Sequence, residues 1–286
     1  MSLTVHPIDT PLGRWTHTEW RPDPGSEMAG LVQHIWHFEG TLSFTRERHF
    51  PNGTLELIVQ LDDPYRDIHG ERTEVCPSVC FTGLQTGPMV IEAPGGFSRV
   101  LGVRLHPAGA YALFGRSLAE TSGISSVDVR DLAGPAADEL AERCHAAASA
   151  EERLRAAASW VGERLARSRG VDPAIAWTAA QIERRHGAVS IAALRERAGL
   201  TKTRLATAFR EQIGVPPKLY ARIQRFRHLL TLLHAQAGSL ADLSAEAGYY
   251  DQPHMNAEFR KLSGVTPGDF LAARRYTSSS LAEPAP

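Results

Sequence analysis

The chain contains one structural motif twice. The stretch from Ser190 to Tyr220 returns, further on, from Ser239 to Phe270. Leu194-x-x-x-Ala198-Gly199 pairs with Leu243-x-x-x-Ala247-Gly248. Leu205-x-x-x-Phe209-Arg210 pairs with Met255-x-x-x-Phe259-Arg260, and Gly214-Val215-Pro216-Pro217 with Gly264-Val265-Thr266-Pro267. One extra residue after the first glycine of the second copy keeps the two in register. A solenoid needs at least three repeats to bury a continuous core. Two copies therefore read as one supersecondary unit used twice.

Each copy reads as helix, tight turn, helix. Ser190 and Ser239 stand as N-caps before apolar-periodic runs. Gly199 and Gly248 follow where a left-handed residue ends a helix. Thr201 and Asp251 cap the second helix of each copy, and Gly214 and Gly264 stop it. This is the helix-turn-helix signature. Leu205, Ala208 and Phe209 recur at helical spacing and face inward. Lys202, Thr203, Arg204, Thr207 and Arg210 then face out. Gln252, Pro253, His254, Asn256, Ala257, Arg260 and Lys261 are their counterparts in the second copy. A helix with one apolar stripe and a basic outer face fits a major groove. Surface helices of a bundle would explain one copy nearly as well, but two matched copies with a basic bias favour double-stranded DNA as the partner.

Residues 173–276 resemble the DNA-binding domain of AraC/XylS-type transcription regulators. The most specific match is Asp251-Gln252-Pro253-His254-Met255, followed by Phe259-Arg260-Lys261 and Gly264-Val265-Thr266-Pro267. The resemblance implies a seven-helix domain whose two helix-turn-helix units are joined by one long helix, with RNA polymerase as a protein partner. Pro217 to His234 fits that connector, with Pro217 suited to a first helical position. At 1.5 Å rise it spans roughly 27 Å, enough to set two recognition helices in successive grooves. The family commonly carries an arginine two residues before the Phe of each recognition helix. Thr207 and Ala257 stand there in this chain, so the first copy, with Arg204, is expected to carry more of the sequence reading.

Charge divides the 286 residues in two. The formal net charge is −1, but residues 1–172 sum to −7 and residues 173–276 to +7. Such a split assigns a polyanion to one half and a different task to the other. No basic stretch precedes an apolar run at the N-terminus, and no run of about 18 apolar residues occurs, so neither a signal peptide nor a membrane span is expected. Three cysteines make no disulfide framework. The expectation is a cytoplasmic protein with reduced thiols.

The first half reads as β-structure. Arg14–Trp20, Leu31–Glu39, Leu55–Leu61, Pro88–Glu92 and Arg99–Leu105 are short β-prone runs divided by Gly/Pro/Asn/Asp turns. The expected fold is α+β in two domains. Residues 1–168 form a β-barrel with helices, followed by the all-α domain at 173–276 and a disordered tail at 277–286. The order of the domains resembles the cupin-like sensor half of AraC-type regulators. Arg48-His49-Phe50-Pro51-Asn52-Gly53 and Glu56-Leu57-Ile58-Val59 resemble a recurring N-terminal domain of that family without an assigned ligand. Val32, His34, Trp36 and Phe38 alternate onto one strand face. That aromatic wall with a polar group makes His34, Trp36 and Phe38 the candidate effector contacts, against the alternative that they are ordinary core. From Pro107 the pattern turns helical. Leu154, Ala157, Ala158, Val161 and Leu165 form a stripe that either pairs two chains into a homodimer or packs on its own domain.

No nucleophile elbow, phosphate loop or dinucleotide fingerprint occurs, and no catalytic residue, cofactor or metal is assigned. His34 and His37, three apart on one strand, point to opposite faces. His49, His69 and His106 are scattered over other elements. Cys76-x-x-x-Cys80 lacks the further ligands of a zinc site, leaving a redox or soft-metal sensor as the minor reading. The rival class is an enzyme, either a metal-dependent cupin or a DNA-repair protein fused to a DNA-binding unit.

Overall fold

A computed structural model describes residues 2–168, 170–235, 238–273 and 280–282. The first domain opens with ten strands: β1 (Ser2–Thr10), β2 (Gly13–Arg21), β3 (Val32–Leu42), β4 (Arg46–His49), β5 (Leu55–Gln60), β6 (Arg66–His69), β7 (Arg72–Val75), β8 (Val79–Thr82), β9 (Met89–Glu92) and β10 (Phe97–Leu105). There follow α1 (Gly109–Phe114), β11 (Val127–Asp128), α2 (Val129–Ala133), α3 (Ala136–Ala146) and α4 (Ala150–Leu165). All strand pairings are antiparallel. They give a seven-stranded sheet in the order β1-β2-β3-β10-β5-β8-β11, and a five-stranded sheet in the order β12-β4-β9-β6-β7, where β12 is Ser280–Ala282. The domain is sheet-rich as expected, but among the described residues the strands form two separately bonded sheets and no closed barrel. Among the same residues β1 and the two-residue β11 pair on one side only, so the large sheet keeps both edges.

Strand register divides the large sheet into two unlike faces. Ile35, Leu57, Leu101 and Val103 are aligned across β3, β10 and β5 and are fully buried. Against them lie Leu154, Ala157, Trp160 and Val161 of α4. The apolar stripe of α4 therefore packs on its own domain. The opposite face carries Trp36, Gly102 and Ile58 in one cross-strand row, and His34, Arg104 and Glu56 in the next. His34, Trp36 and Phe38 share this face, as alternation requires. Val32 does not. The register slips between Arg104 and Leu105, so Val32 pairs with Leu105 and enters the apolar core.

The second domain has seven helices among the described residues: α5 (Pro173–Arg184), α6 (Ile191–Arg197), α7 (Lys202–Ile213), α8 (Pro217–Ala235), α9 (Leu240–Glu246), α10 (Gln252–Ser263) and α11 (Pro267–Ala273). The expected caps are observed. Ser190, Thr201, Ser239 and Asp251 each accept a backbone N–H near the start of their helices, and Ser239 with Asp242 completes a reciprocal capping box. Gly214 and Gly264 take left-handed conformations where α7 and α10 end. Of the linker 169–173, Arg169 lies outside the described residues. Asp172 caps α5 and Pro173 is its first residue.

The apolar interior does not divide where the domains do. One core runs from the large sheet through α1 and α4 into α5, α6 and α7 as far as Tyr220. The other is built on the second half of α8 with α9, α10 and α11, and it includes Phe50 from the first domain. The disordered tail expected at 277–286 gives way at Ser280–Ala282 to β12, which pairs with β4 (Ser280 opposite His49). An open strand edge offers unpaired backbone groups, and Leu281 adds apolar contact to the second core. The remainder of that stretch lies outside the described residues.

On the face opposite α4, the inner face of the sheet, the Trp36 ring packs over Gly102. A Cβ there would lie 2.2 Å from the Trp36 ring, so Gly102→Ala must displace the indole. Overpacking of this kind typically costs about 1–3 kcal/mol. The expected result is a lower melting temperature that Trp36→Ala largely restores. Equal losses in both backgrounds, measured as a double-mutant cycle, would refute the contact.

Candidate nucleic-acid interface

Two exposed helix faces carry the residues singled out by the repeat. On α7, the first helical residue Lys202 and then Thr203, Arg204, Thr207 and Arg210 are all exposed, while Leu205 and Phe209 are buried. On α10, Pro253, His254, Ala257, Arg260 and Lys261 are exposed, and Met255 and Phe259 are buried. The caps explain this alignment. Each helix starts at the same place in its copy, at the Thr201 or Asp251 cap, so the 3.6-residue period turns matching positions outward in both. Arg204 leans on Asp172 at 3.4 Å, but its side chain is 66% exposed, so the pair is a weak surface contact.

Two members of the second set are placed differently. Gln252 and Asn256 are only half-buried rather than outward, and the Asn256 Oδ1 is enclosed with no hydrogen-bond partner. His254 is exposed but sets its ring edge-on against Tyr249 at 5.6 Å, so it both braces the turn and faces out. Two further residues were missed. Ala206 is exposed beside Thr207. Tyr250, the residue by which the second turn exceeds the first, is 92% exposed next to the cap of α10. The extra residue was legible in the repeat, but its direction was not.

The recognition helices are tied down from behind. Arg222 of α8 donates to Glu258 of α10 at 2.6 Å. Tyr220 donates to Glu183 of α5 at 2.7 Å. The C-terminal end of α7 is held by the first domain, where the Leu118 amide donates to the Glu211 carbonyl at 2.7 Å. Val215 and Val265 follow the helix-ending glycines in both units and lead into Pro217 and Pro267, which open the next helices.

The inner face of the large sheet gathers the effector candidates. Trp36 Nε1 and Arg104 Nε both donate to Glu56 Oε1, at 3.3 and 2.8 Å. His17 stacks on Trp36 at 6.0 Å, Trp15 approaches Phe38 at 6.2 Å, and His34 Nε2 lies 4.0 Å from Glu19. Burial opposes the Glu56 charge. Arg104 and the donated hydrogen bonds outweigh it and hold the carboxyl below its usual range. Burial, aided by Arg104, lowers His34 to about 4. The structure thus joins His34, Trp36 and Phe38 to a charged and aromatic surface that also includes Glu19, Glu56 and Arg104. Cys76 and Cys80 are buried free thiols, pushed up to about 12 and about 11 by burial first of all. Among the described residues, no three His, Cys, Asp or Glu side chains converge as metal ligands, and no helix is long and apolar enough to cross a membrane.

Comparison with known proteins gives two family matches. Residues 194–273 match a helix-turn-helix domain, and residues 21–125 match a domain of unknown function (DUF6597). No curated protein sequence matches the chain. Among solved structures, ToxT from Vibrio cholerae aligns over 83% of this chain and 97% of its own, at 9% identity and a TM-score of 0.47. The C-terminal domain of AraT, a response regulator from Geobacillus stearothermophilus, aligns over 38% and 92%, at 17% identity and a TM-score of 0.35. The xylose-binding transcription activator xylR aligns over 36% and 27%, at 18% identity and a TM-score of 0.32.

The buried histidines give the fold a definite pH response. His37, fully buried on the helix-covered face, is lowered to about 4 by burial and then by Arg153 and Arg99, and neither ring nitrogen has a hydrogen-bond partner. Its unfolded value is 6.5. Between those values the unfolded chain binds a proton that the folded chain refuses, so stability is full above 6.5 and falls as pH drops toward 4. His34 acts in the same sense. Melting temperatures at pH 7 and pH 5 should differ less in His37→Leu than in the parent chain. An unchanged difference would remove His37 from this account.

Proposed function

We propose that this chain, whose C-terminal domain is an AraC-type helix-turn-helix domain, is a sequence-specific DNA-binding transcription regulator controlled by a small effector held in its first domain. The observation that carries the reading is the pair of matched helices, α7 and α10. Each is capped the same way, anchored by a buried Phe and exposed along its polar face. The +7 balance of residues 173–276 supplies the attraction to a polyanion.

Within this reading the residues divide by task. Arg204 is the base reader, because a guanidinium can take guanine O6 and N7 together. Thr203 and Thr207 complete its face, and Lys202 and Arg210 meet phosphates. In the second unit, His254 is the polar reader, Pro253 and Ala257 offer apolar contact to thymine methyls, and Arg260 and Lys261 meet phosphates. Gln252 and Asn256 stand at the margin of that surface. The effector lies on the inner sheet face against His34, Trp36 and Phe38. RNA polymerase, met at the promoter, is the protein partner. A second copy of the chain belongs to the same reading, through a surface other than the stripe of α4, which is buried at home.

Binding selection with the full chain tests the assignment. Arg204→Ala should relax preference at one base pair of one half-site, a loss of about 1–3 kcal/mol there. Arg210→Ala and Lys261→Ala should weaken all sites alike and lower the salt dependence. If Arg204→Ala leaves the selected sequence intact while His254→Ala erases a half-site, the second unit leads the reading instead.

A further inference from the structure

The turn Phe50-Pro51-Asn52-Gly53 between β4 and β5 belongs to the first domain, yet its aromatic side chain completes the core of the second. Phe50 is 2% exposed. Its ring meets Phe226 of α8 edge-on at 6.4 Å and Phe270 of α11 at 5.8 Å. Those two rings in turn enclose Phe259, the buried anchor of α10, at 5.2 and 5.8 Å. The turn is built to reach there. Asn52 Oδ1 accepts from the Thr54 amide and hydroxyl at 3.0 and 2.6 Å. Gly53 adopts φ +71°, and a Cβ at that position would lie 2.3 Å from the Gln224 amide of α8. The left-handed φ favours glycine, and a side chain there would have to push the Gln224 amide aside.

The first helix-turn-helix unit is held by another part of the first domain. The end of α7 bonds to the Leu118 amide, and its apolar side continues the core of α1 and the large sheet. The second unit is held through β4, by the Phe50 ring and by β12, whose Ser280 hydroxyl donates to Glu47. His49, the residue before Phe50, pairs with Glu47 at 3.2 Å. Glu56, just beyond the turn, is the acceptor shared by Trp36 and Arg104 on the inner face. A change at Glu56 on that face therefore lies a few residues along the backbone from the ring that supports α10.

We propose that Phe50 is a positioning residue for DNA reading, through which the first domain sets the second helix-turn-helix unit and leaves the first unit alone. The proposal rests on the DNA-binding reading above, and names how the two halves of that regulator are coupled. Removing the ring leaves Phe226 and Phe270, the two rings that pack on Phe259, facing a void. α10 and α11 then relax, while α7, built on a different core, keeps its place.

The test compares the full chain with Phe50→Ala and Phe50→Leu, by amide hydrogen exchange without DNA and by binding selection on random duplex. The expected exchange result is at least tenfold faster exchange in residues 252–263 and 267–273, with residues 202–213 unchanged. Phe50→Leu should show the same pattern in weaker form, and it carries the comparison if Phe50→Ala does not fold. The expected selection result is loss of preference in one half-site only, with the half-site altered by Arg204→Ala retained. Equal acceleration in both units, or in neither, overturns the proposal, as does a selected sequence that is unchanged or lost as a whole. If the parent chain selects no sequence at all, the DNA-binding reading fails, and the exchange pattern alone decides the coupling.

Discussion

The architecture depends on one helix being buried along nearly its whole length. α8 carries Tyr220, Ile223, Phe226, Leu229, Leu230 and Leu233 inside, and at 1.5 Å per residue its 19 residues span about 28 Å. Its first turns complete the core of the first helix-turn-helix unit, and its last turns found the core of the second. Because both recognition helices pack on the same rigid rod, their separation is a property of the rod. Arg222 and Tyr220 add directional bonds, to Glu258 and Glu183, that fix how each unit is rotated about it. Its apolar side chains are covered by both units and, at Phe50, by the first domain.

The first domain is correspondingly asymmetric. The helix-covered face of its large sheet is ordinary core, with Ile35, Leu57 and Leu101 against α4. The other face is occupied by charges and aromatics that satisfy one another: Glu56 with Arg104 and Trp36, and His17 on Trp36. A surface whose polar groups are paired but half-buried can exchange those partners for a ligand at modest cost, which a hydrocarbon core cannot. The neutral state of His34 follows from the same burial and leaves one ring nitrogen as an acceptor.

The two layers of the first domain hold different parts of the second. α1 and the segment at Leu118 grip α7, whereas β4 and its turn reach α8 and α11 and, through Phe259, α10. Interfaces of this kind repack between discrete arrangements more readily than they deform. The stretch Arg48–Gly53 stood out in the sequence as a motif without a task. In the fold it lies at the junction between the domains.

Much was legible in the sequence because it is local. The repeat, the four caps, the helix-ending glycines and the connector beginning at Pro217 depend on neighbours within a turn or two of helix, and each is found where residue type required it. Strand alternation likewise placed His34, Trp36 and Phe38 on one face. Other features were settled only by tertiary structure. Val32 left that face because of a register slip with a strand far away in sequence. Whether the strands close into a barrel was decided by their pairing, which gives two sheets with open edges among the described residues. Ser280–Ala282 became a strand because β4 had a free edge. Asn256 turned partly inward, and Phe50 found its place in a core more than 150 residues further along the chain. Capping and periodicity are written in adjacent residues. Register, edge pairing and the choice of which core a side chain enters are decided by distant residues, which meet only when the chain has folded.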